Sequence, residues 1–347
     1  MKKSVITSAV AVCAILIAGI SLQSFAASAS GVSSLTGAGS TFDYPFFNRA
    51  FYLYAAQNHV NVNYSAIGSG GGIQQFSAGT VNFGASDVPM NAGELNAAQK
   101  NGGSVIQIPI ALGGEAISYN LPSVHAKLKF TPQVIAQIYL GQLKTWNDPR
   151  IKAINPGVKL PNLPIIVVHR SDGSGSTYIF TDFLSTISPQ WARIVGRGKA
   201  VNWPVGIGGK GNEAVAQSVK NTVGAIGYVE LAYVLQSKMQ YGYVKNREGQ
   251  YVLPTPLTVL KEAAQKPSVT SKNFSIVWLL GKDAYPISGY SWALLDRNQK
   301  SSAVKNTLVS LFTWMEGPGQ AQAAAVDYVP LPQNIRQQAL HLLDTVK

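Results

Sequence analysis

Residues 165–177 read IIVVHRSDGSGST, and this stretch decides the predicted fold. Its opening run, 165–169, is apolar in the way that is typical of a strand buried on both faces of a sheet. A polar, glycine-rich loop follows over 170–176, and helical spacing of apolar residues then runs over 178–184. A strand, a glycine loop and a helix in this order predict an α/β fold with a mostly parallel sheet.

The same unit recurs on both sides of this stretch. Predicted strands lie at 32–36, 61–67, 81–85, 225–228 and 290–295, predicted glycine loops at 37–40, 68–72 and 206–211, and predicted helices at 132–140, 304–315 and 333–346. The sequence shows no repeat of fixed period and no long linker. Domain boundaries must therefore come from topology rather than from composition.

Three glycine-rich loops, at 39–41, 68–71 and 172–177, share one design, because each lies between a strand and a helix. The first N–H groups of a helix have no partner inside the helix, and the positive end of its dipole faces outward. Helix capping alone can explain one such loop. Three of them at the carboxyl ends of strands instead predict a site where amides and hydroxyls surround an oxyanion.

Arg170 is the charged residue best placed to bind such an anion. It directly follows the apolar run, and its planar fork suits two oxygens of a tetrahedral anion. Asp172 could hold the guanidinium in place, and it could equally be an Asx-turn residue.

Asp87 ends a predicted strand and gives the site a carboxylate. A carboxylate repels an anion unless the anion carries a proton to donate. Phosphate keeps at least one P–OH group at neutral pH, whereas sulfate has none, and a buried charge without a partner is costly. Asp87 therefore predicts selection of phosphate over sulfate; the alternative is that it caps the next helix.

The N-terminus predicts export. Residues 2–3 are lysines, 5–22 are apolar or small, and 24–26 read SFA, which suits a cleavage site. The alternative is an uncleaved N-terminal anchor. We expect a signal peptide at 1–26, cleaved near Ala26, and a periplasmic protein.

Charge and motif content argue against nucleic-acid binding and catalysis. The formal net charge is +12, but only 13% of residues are charged and the basic residues are scattered. Residues 206–211 fit G-x-G-x-x-G, which is unspecific as a lone match, and Lys210 is followed by Gly211 rather than by the Ser or Thr of a Walker loop. No serine-hydrolase elbow or zinc-binding His pair occurs. We therefore predict no catalytic residue, no metal, no cofactor and no nucleic-acid partner.

With these residues in view, the chain resembles the phosphate-binding proteins of Pst-type phosphate ABC transporters, a group within the periplasmic-binding-protein family. The resemblance covers essentially the whole chain after the leader. Ser176 stands where the family usually has Thr, which preserves the hydroxyl, and Gly70 replaces a common second Ser. The strongest segments are LTGAGSTF (35–42), VNFGASD (81–87), RSDGSGS (170–176) and GAIGYVE (224–230).

The resemblance implies a set of ligand contacts. In this family, hydroxyls and backbone amides from the first two loops bind phosphate, an acidic residue accepts its proton, and an Arg with an S-G-T run completes the site. Asp172 is implied as the partner of Arg170. The implied phosphate-binding residues are Thr41, Phe42 through its N–H, Ser69, Asp87, Arg170, Ser174, Gly175 and Ser176.

The resemblance also implies an α/β, two-lobed type II periplasmic-binding-protein fold, with a ligand cleft between lobes that two hinge strands join. Lobe I would comprise 27–112 and 286–347, and lobe II 113–285. The implied function is high-affinity binding of inorganic phosphate in the periplasm, by a monomer that delivers it to the permease subunits of an ABC-type importer. The alternatives are a binding protein for sulfate or arsenate, and an exported phosphatase or adhesin on the same fold.

Overall fold

The computed structural model describes residues 31–347, and the predicted signal peptide at 1–26 lies outside them. Within this range no helix has the length and apolarity needed to cross a membrane. The strands are β1 (Ser34–Gly39), β2 (Asn61–Ala66), β3 (Phe83–Ser86), β4 (Val105–Tyr119), β5 (Lys129–Phe130), β6 (Ile166–Arg170), β7 (Ile207–Gly209), β8 (Ala225–Glu230), β9 (Gln240–Tyr241), β10 (Tyr243–Lys245), β11 (Tyr251–Val252) and β12 (Ser288–Asp296). The α-helices are α1 (Tyr44–Asn58), α2 (Ser69–Ser77), α3 (Ala92–Gly102), α4 (Pro132–Tyr139), α5 (Pro149–Ile154), α6 (Gly175–Ile187), α7 (Pro189–Ile194), α8 (Gly211–Asn221), α9 (Leu231–Gln236), α10 (Pro256–Ala264), α11 (Ser302–Glu316) and α12 (Gln333–Leu343), and a 3₁₀ helix spans Pro318–Val326.

One long strand connects two groups of parallel strands. The main sheet has the order β2-β1-β3-β12-β4-β8-β6-β7, and β9 also pairs with β4. Strands β1, β2 and β3 are parallel to each other, as are β6, β7 and β8, whereas β4 is antiparallel to both of its main neighbours. Strand β4 pairs with β12 up to Gly114 and with β8 from Glu115 onward. The predicted α/β class is confirmed, while the lobe boundaries at 112/113 and 285/286 stay a prediction.

Aromatic side chains fill a core for each group of parallel strands. In the first, α1 buries Phe47 and Phe51 beside Phe83 of β3. In the second, Phe180 of α6 stacks on Tyr228 of β8 with ring centroids 4.4 Å apart. Because one aromatic side chain buries about 150–250 Å², these rings contribute much of the burial that fixes the helices on the sheet.

The glycine loops predicted at 37–40 and 206–211 are wrong as loops, because residues 37–39 belong to β1 and residues 207–209 belong to β7. A Cβ on Gly37 would lie 2.2 Å from the ring of Phe83, and one on Gly39, whose φ is +147°, would lie 2.0 Å from the carbonyl oxygen of Ala85. Glycine therefore permits close strand packing here rather than a turn. Helix α2 likewise begins within the loop predicted at 68–72.

The local sequence pattern does not predict β4, the longest strand, because Pro109, Gly113 and Gly114 interrupt its apolar run. Pro109 is tolerated because the register against β12 shifts at this point, opposite Trp292. A Cβ on Gly113 would lie 2.7 Å from the ring of Phe42, so this glycine lets the strand approach the loop before α1. The strand that joins the two halves thus carries little local signal.

Candidate functional site

The N-terminal ends of four helices meet between the two groups of parallel strands. Gly175 N, at the start of α6, donates to Ser69 Oγ at the start of α2 over 3.1 Å. Asn212 N, in the first turn of α8, donates to Thr41 Oγ1 in the loop before α1 over 3.1 Å. The three loops singled out in the sequence are therefore neighbours, and the loop before α8 joins them. We call the space between these helix ends the cleft.

Two hydroxyls in the cleft accept N–H groups and so present their own protons. Ser69 Oγ accepts the backbone N–H groups of Asp87 (3.2 Å) and Gly175 (3.1 Å). Thr41 Oγ1 accepts the backbone N–H and the Nδ2–H of Asn212, both over 3.1 Å. A hydroxyl has one proton and two lone pairs, so a hydroxyl whose lone pairs are taken must direct its proton to another acceptor.

Asn212 orients the cleft although sequence analysis assigned it no role. Its Nδ2 also donates to Ser176 Oγ (3.1 Å), and its Oδ1 accepts the Glu230 N–H (3.1 Å). One amide thus fixes the hydroxyls of both Thr41 and Ser176. The glycine loop at 206–211, which precedes this helix start, was the signal that could have identified Asn212.

Two further predicted ligand groups, the Ser174 hydroxyl and the Phe42 amide, also have hydrogen-bond partners within the protein. Ser174 Oγ caps α6 by accepting the Thr177 N–H (3.0 Å). The Phe42 N–H donates to Ser40 Oγ (2.9 Å). Ser174 keeps its hydroxyl proton as a donor, whereas the Phe42 amide must exchange partners before it can bind a ligand.

Arg170 and Asp172 form a buried, two-pronged ion pair. Arg170 Nε and Nη2 lie 2.8 and 2.5 Å from Asp172 Oδ1 and Oδ2, and Oδ1 also accepts the Gly211 N–H (3.0 Å). Burial alone would raise the pKa of Asp172, but the hydrogen bonds and charge of Arg170 outweigh it and lower the pKa below its ordinary value. Asp172 therefore holds the guanidinium rigidly at the end of β6.

Asp87 is buried and lies next to Ser69 at the start of α2 and Gly175 at the start of α6. Its Oδ1 accepts the Ser40 hydroxyl and lies 2.8 Å from Ser291 Oγ, while Oδ2 lies 3.4 Å from Ser69 Oγ. Burial raises the pKa of Asp87 to about 6; the hydroxyls of Ser40 and Ser291, and the charge of Arg170, limit the rise. Ser291 was not predicted as a site residue, since no local pattern distinguishes it on β12.

The alternative role for Asp87, as a cap of the next helix, is wrong. The side chain of Asn91 accepts the Glu94 N–H (3.0 Å), and Glu94 Oε2 accepts the Asn91 N–H (2.9 Å), so Asn91 caps α3. The carboxylate of Asp87 instead faces the hydroxyls of the cleft.

A second buried carboxyl, on Glu115, lies beside the cleft where β4 changes partners. Glu115 is paired with Glu230 in the β4–β8 register, which places the two side chains on one face of the sheet. Burial raises the pKa of Glu115 to about 8 against the opposing effects of Ser176 and Arg170. Glu115 is therefore protonated at neutral pH.

We expect Glu115→Gln to change how stability depends on pH. In the unfolded chain Glu115 ionises near its ordinary value of 4.5, but in the folded protein it stays protonated to about 8, so its contribution to stability is lost as pH rises between these values. Relative to the unchanged protein, the variant should gain up to about 4 kcal/mol in free energy of unfolding between pH 4.5 and 8.5. Urea unfolding across this range measures it.

Glu248→Gln, at an exposed position, is the matched control for the loss of one carboxyl group. Parallel stability curves for Glu115→Gln and the unchanged protein would contradict the assignment of a neutral Glu115.

Known proteins with a similar sequence or fold show which class of protein this chain belongs to. A family model described as a PBP superfamily domain matches residues 24–315. The solved structure of a putative phosphate ABC transporter substrate-binding protein from Clostridium perfringens, with bound phosphate, is 20% identical with a TM-score of 0.63, covering 86% of this chain and 100% of that one. A phosphate-binding protein from Stenotrophomonas maltophilia is 18% identical with a TM-score of 0.66, covering 89% and 94%. The fold and the cleft define a two-lobed periplasmic-type binding protein, which confirms the predicted fold class.

Curated relatives narrow the class to one family. Phosphate-binding protein PstS of Xylella fastidiosa is 41% identical over 307 residues, which is 88% of this chain and 83% of the relative. PstS of Pasteurella multocida is 40% identical over 88% of each chain, and PstS of Methanocaldococcus jannaschii is 35% identical over 83% and 80%. The chain belongs to the PstS family of phosphate-binding proteins, and the resemblance inferred from the sequence is confirmed.

Proposed function

We propose that this protein binds inorganic phosphate in the cleft and passes it to an ABC-type importer. One observation supports this most directly: the buried carboxylate of Asp87 receives serine hydroxyls and feels the charge of Arg170, and its Oδ2 lies 3.4 Å from the hydroxyl oxygen of Ser69. Such a site suits an oxyanion that carries a proton. The names of the relatives point to the same ligand.

The donors suit a tetrahedral anion of one or two charges. A guanidinium has five N–H groups, and Asp172 takes two of those on Arg170, which leaves three for phosphate oxygens. The hydroxyl protons of Thr41, Ser69 and Ser176 complete a set of mostly neutral donors, which bind the anion without burying further cations. Ser174 adds its hydroxyl, and the amides of Phe42 and Gly175 join by exchanging their hydroxyl acceptors for phosphate oxygens.

Asp87 is the residue that selects phosphate over sulfate. Because its pKa is about 6, it is mainly ionised at neutral pH and can accept the proton of a P–OH group. Sulfate offers no proton, so its oxygens would face a buried carboxylate without a hydrogen bond, which is costly. Arsenate carries a proton as phosphate does, so Asp87 does not exclude it.

Contacts between the predicted lobes support a closing motion that an importer could recognise. Lys199 forms an ion pair with Glu94, and Tyr233 OH donates to the carbonyl oxygen of Thr41 over 2.7 Å. A ligand that binds groups from both lobes stabilises the closed form by its higher affinity for that form. We infer that the protein is a periplasmic monomer, that it catalyses no reaction, and that permease subunits recognise the closed form.

Thermal unfolding in the presence of competing anions tests the proposed function. Phosphate at 100 times its Kd should stabilise the protein by about 2.7 kcal/mol and raise the apparent Tm, whereas sulfate at the same concentration should not. Equal stabilisation by both anions would contradict selective binding of phosphate, and no stabilisation by either anion would contradict phosphate binding itself. Turnover of a chromogenic phosphate ester would instead favour the phosphatase alternative.

A further inference from the structure

Asp43 is a buried carboxyl that the proposed phosphate contacts leave unexplained. It occupies the N-cap position of α1, yet its side chain makes no capping hydrogen bond. Instead its Oδ2 lies 2.6 Å from Ser291 Oγ, and the same hydroxyl oxygen lies 2.8 Å from Asp87 Oδ1. Ser291 thus joins Asp43 to the carboxylate that is proposed to accept the ligand's proton.

The row Asp43–Ser291–Asp87 needs two protons. A serine hydroxyl carries one proton and can donate it to only one of the two carboxyl groups. If both were ionised, one carboxylate would face the lone pairs of Ser291 Oγ at hydrogen-bond distance with no proton between them. The second proton must therefore reside on a carboxyl group, as expected when two buried acids share a partner.

The surroundings place that proton on Asp43. Asp87 receives the Ser40 hydroxyl and feels the positive charge of Arg170. Tyr64 OH lies 3.5 Å from Asp43 Oδ1, but its proton goes to the carbonyl oxygen of Ser40 at 2.8 Å. The titratable groups that face Asp43 are Asp87, Tyr64, Tyr233 and Tyr328, and none of these is a cation.

The direction of the pKa shifts agrees with this placement. Burial first, and then the charge of Asp87, raise the pKa of Asp43 well above its ordinary value. Burial raises the pKa of Asp87 only to about 6. Asp43 therefore keeps its proton after Asp87 has ionised.

We propose that Asp43 is a positioning residue that stays protonated at neutral pH, donates to Ser291, and thereby makes Ser291 donate to Asp87 Oδ1. This role rests on the proposed phosphate function. With Ser40 and Ser291 both donating to Oδ1, the proton of a bound phosphate is directed to Oδ2. The row then holds one negative charge beside the anion rather than two.

The proposal predicts a specific pH dependence of phosphate affinity. When pH rises through the raised pKa of Asp43, a second negative charge appears beside the cleft, and phosphate affinity should fall. Asparagine at position 43 mimics the neutral acid, because its amide can donate to Ser291 and cannot ionise. Alanine removes the donor altogether.

The experiment compares the unchanged protein with Asp43→Asn and Asp43→Ala by calorimetric phosphate titration from pH 6 to pH 10. Exposed Asp344→Asn serves as the control. We expect Asp43→Asn to bind within about threefold of the unchanged protein at pH 7 and to lack its loss of affinity at high pH, while Asp43→Ala binds at least about tenfold more weakly. Infrared difference spectra of ligand-free protein at pH 7 should show the carbonyl stretch of a protonated acid that Asp43→Asn removes.

Two results would overturn the role of Asp43. Tenfold tighter phosphate binding by Asp43→Asn at pH 7, without an infrared difference, would show that Asp43 is ionised. Matching pH profiles for the unchanged protein and both variants would make Asp43 merely structural. A third result separates the two proposals: the infrared difference is present, but the unchanged protein binds no phosphate. Asp43 is then protonated as proposed, whereas the proposed phosphate function and the positioning role of Asp43 in it are both wrong.

Discussion

Replacing Arg170 with glutamine should lower phosphate affinity by at least about 100-fold. Asp172 fixes the guanidinium, whose side chain is only 1% exposed, so its remaining N–H groups meet the ligand without further ordering. Hydrogen bonds to charged groups contribute roughly 1.5–3 kcal/mol each, and the loss of two gives about 3 kcal/mol or more. The substitution also removes the positive charge that helps keep Asp87 ionised.

Calorimetric titration with phosphate measures the loss, and Arg150→Gln is the matched control. Arg150 forms an ion pair of the same kind with Asp148, because its Nε and Nη2 atoms each lie 2.9 Å from a carboxylate oxygen of that residue. The side chain of Arg150, however, is 47% exposed. Exposed ion pairs contribute little, so the control should bind phosphate normally. Near-normal binding by Arg170→Gln would remove Arg170 from the site.

Replacing Gly175 with alanine should lower phosphate affinity by a similar factor, at least about 50-fold. A Cβ at this position would lie 2.4 Å from both Cβ and Oδ2 of Asp87, well inside ordinary contact distance. The first turn of α6 and Asp87 must then move apart by about 1 Å, which prevents the cleft from closing around the anion, and misplacements of this size are costly at preorganised sites. Each lobe should still fold, because Gly175 begins α6 in the predicted lobe II, whereas Asp87 follows β3 in the predicted lobe I.

Small-angle scattering with and without phosphate, together with calorimetry, distinguishes a failure to close from unfolding. Gly93→Ala, in α3, is the control because its Cβ would meet only the side chain of Asn91 at 3.4 Å. We expect the radius of gyration of the control to fall when phosphate is added, and that of Gly175→Ala to stay at the value of the open form. Compaction and tight binding by Gly175→Ala would show that α6 and Asp87 do not need this close approach.

Local sequence patterns predicted the order of strand, glycine-rich segment and helix and the convergence of these segments, although parts of the segments belong to β1, β7 and α2 rather than to loops. The carboxyl ends of parallel strands lie at one edge of a sheet. A segment with glycines and hydroxyls after each strand therefore predicts a shared ligand-binding site at that edge. Arg170 and Asp172 were visible in the same way, because they follow the apolar strand directly. Asn212 follows a fourth unit of this kind and could have been identified by the same reasoning.

Other parts of the fold and site depend on contacts that no local pattern encodes. Strand β4 contains Pro109 and two glycines, which disfavour a strand until the bulge and the packing of neighbouring rings are known. Ser291 lies 204 residues from Asp87, and only the pairing of β12 with β3 brings them together. The protonation of Asp43 and Glu115 follows from burial, which a single sequence does not report.

Calorimetric titration of the phosphate-stripped protein and of its Asp87→Asn variant, with phosphate and then with sulfate at neutral pH, tests the central claim most directly. The unchanged protein should bind one phosphate tightly and give no heat with sulfate, because the ionised Asp87 requires a proton from its ligand. The variant should stay folded and lose much of this preference. Sulfate binding by the unchanged protein as tight as phosphate binding, or an unchanged preference in Asp87→Asn, would contradict the claim that this carboxylate selects phosphate by its proton.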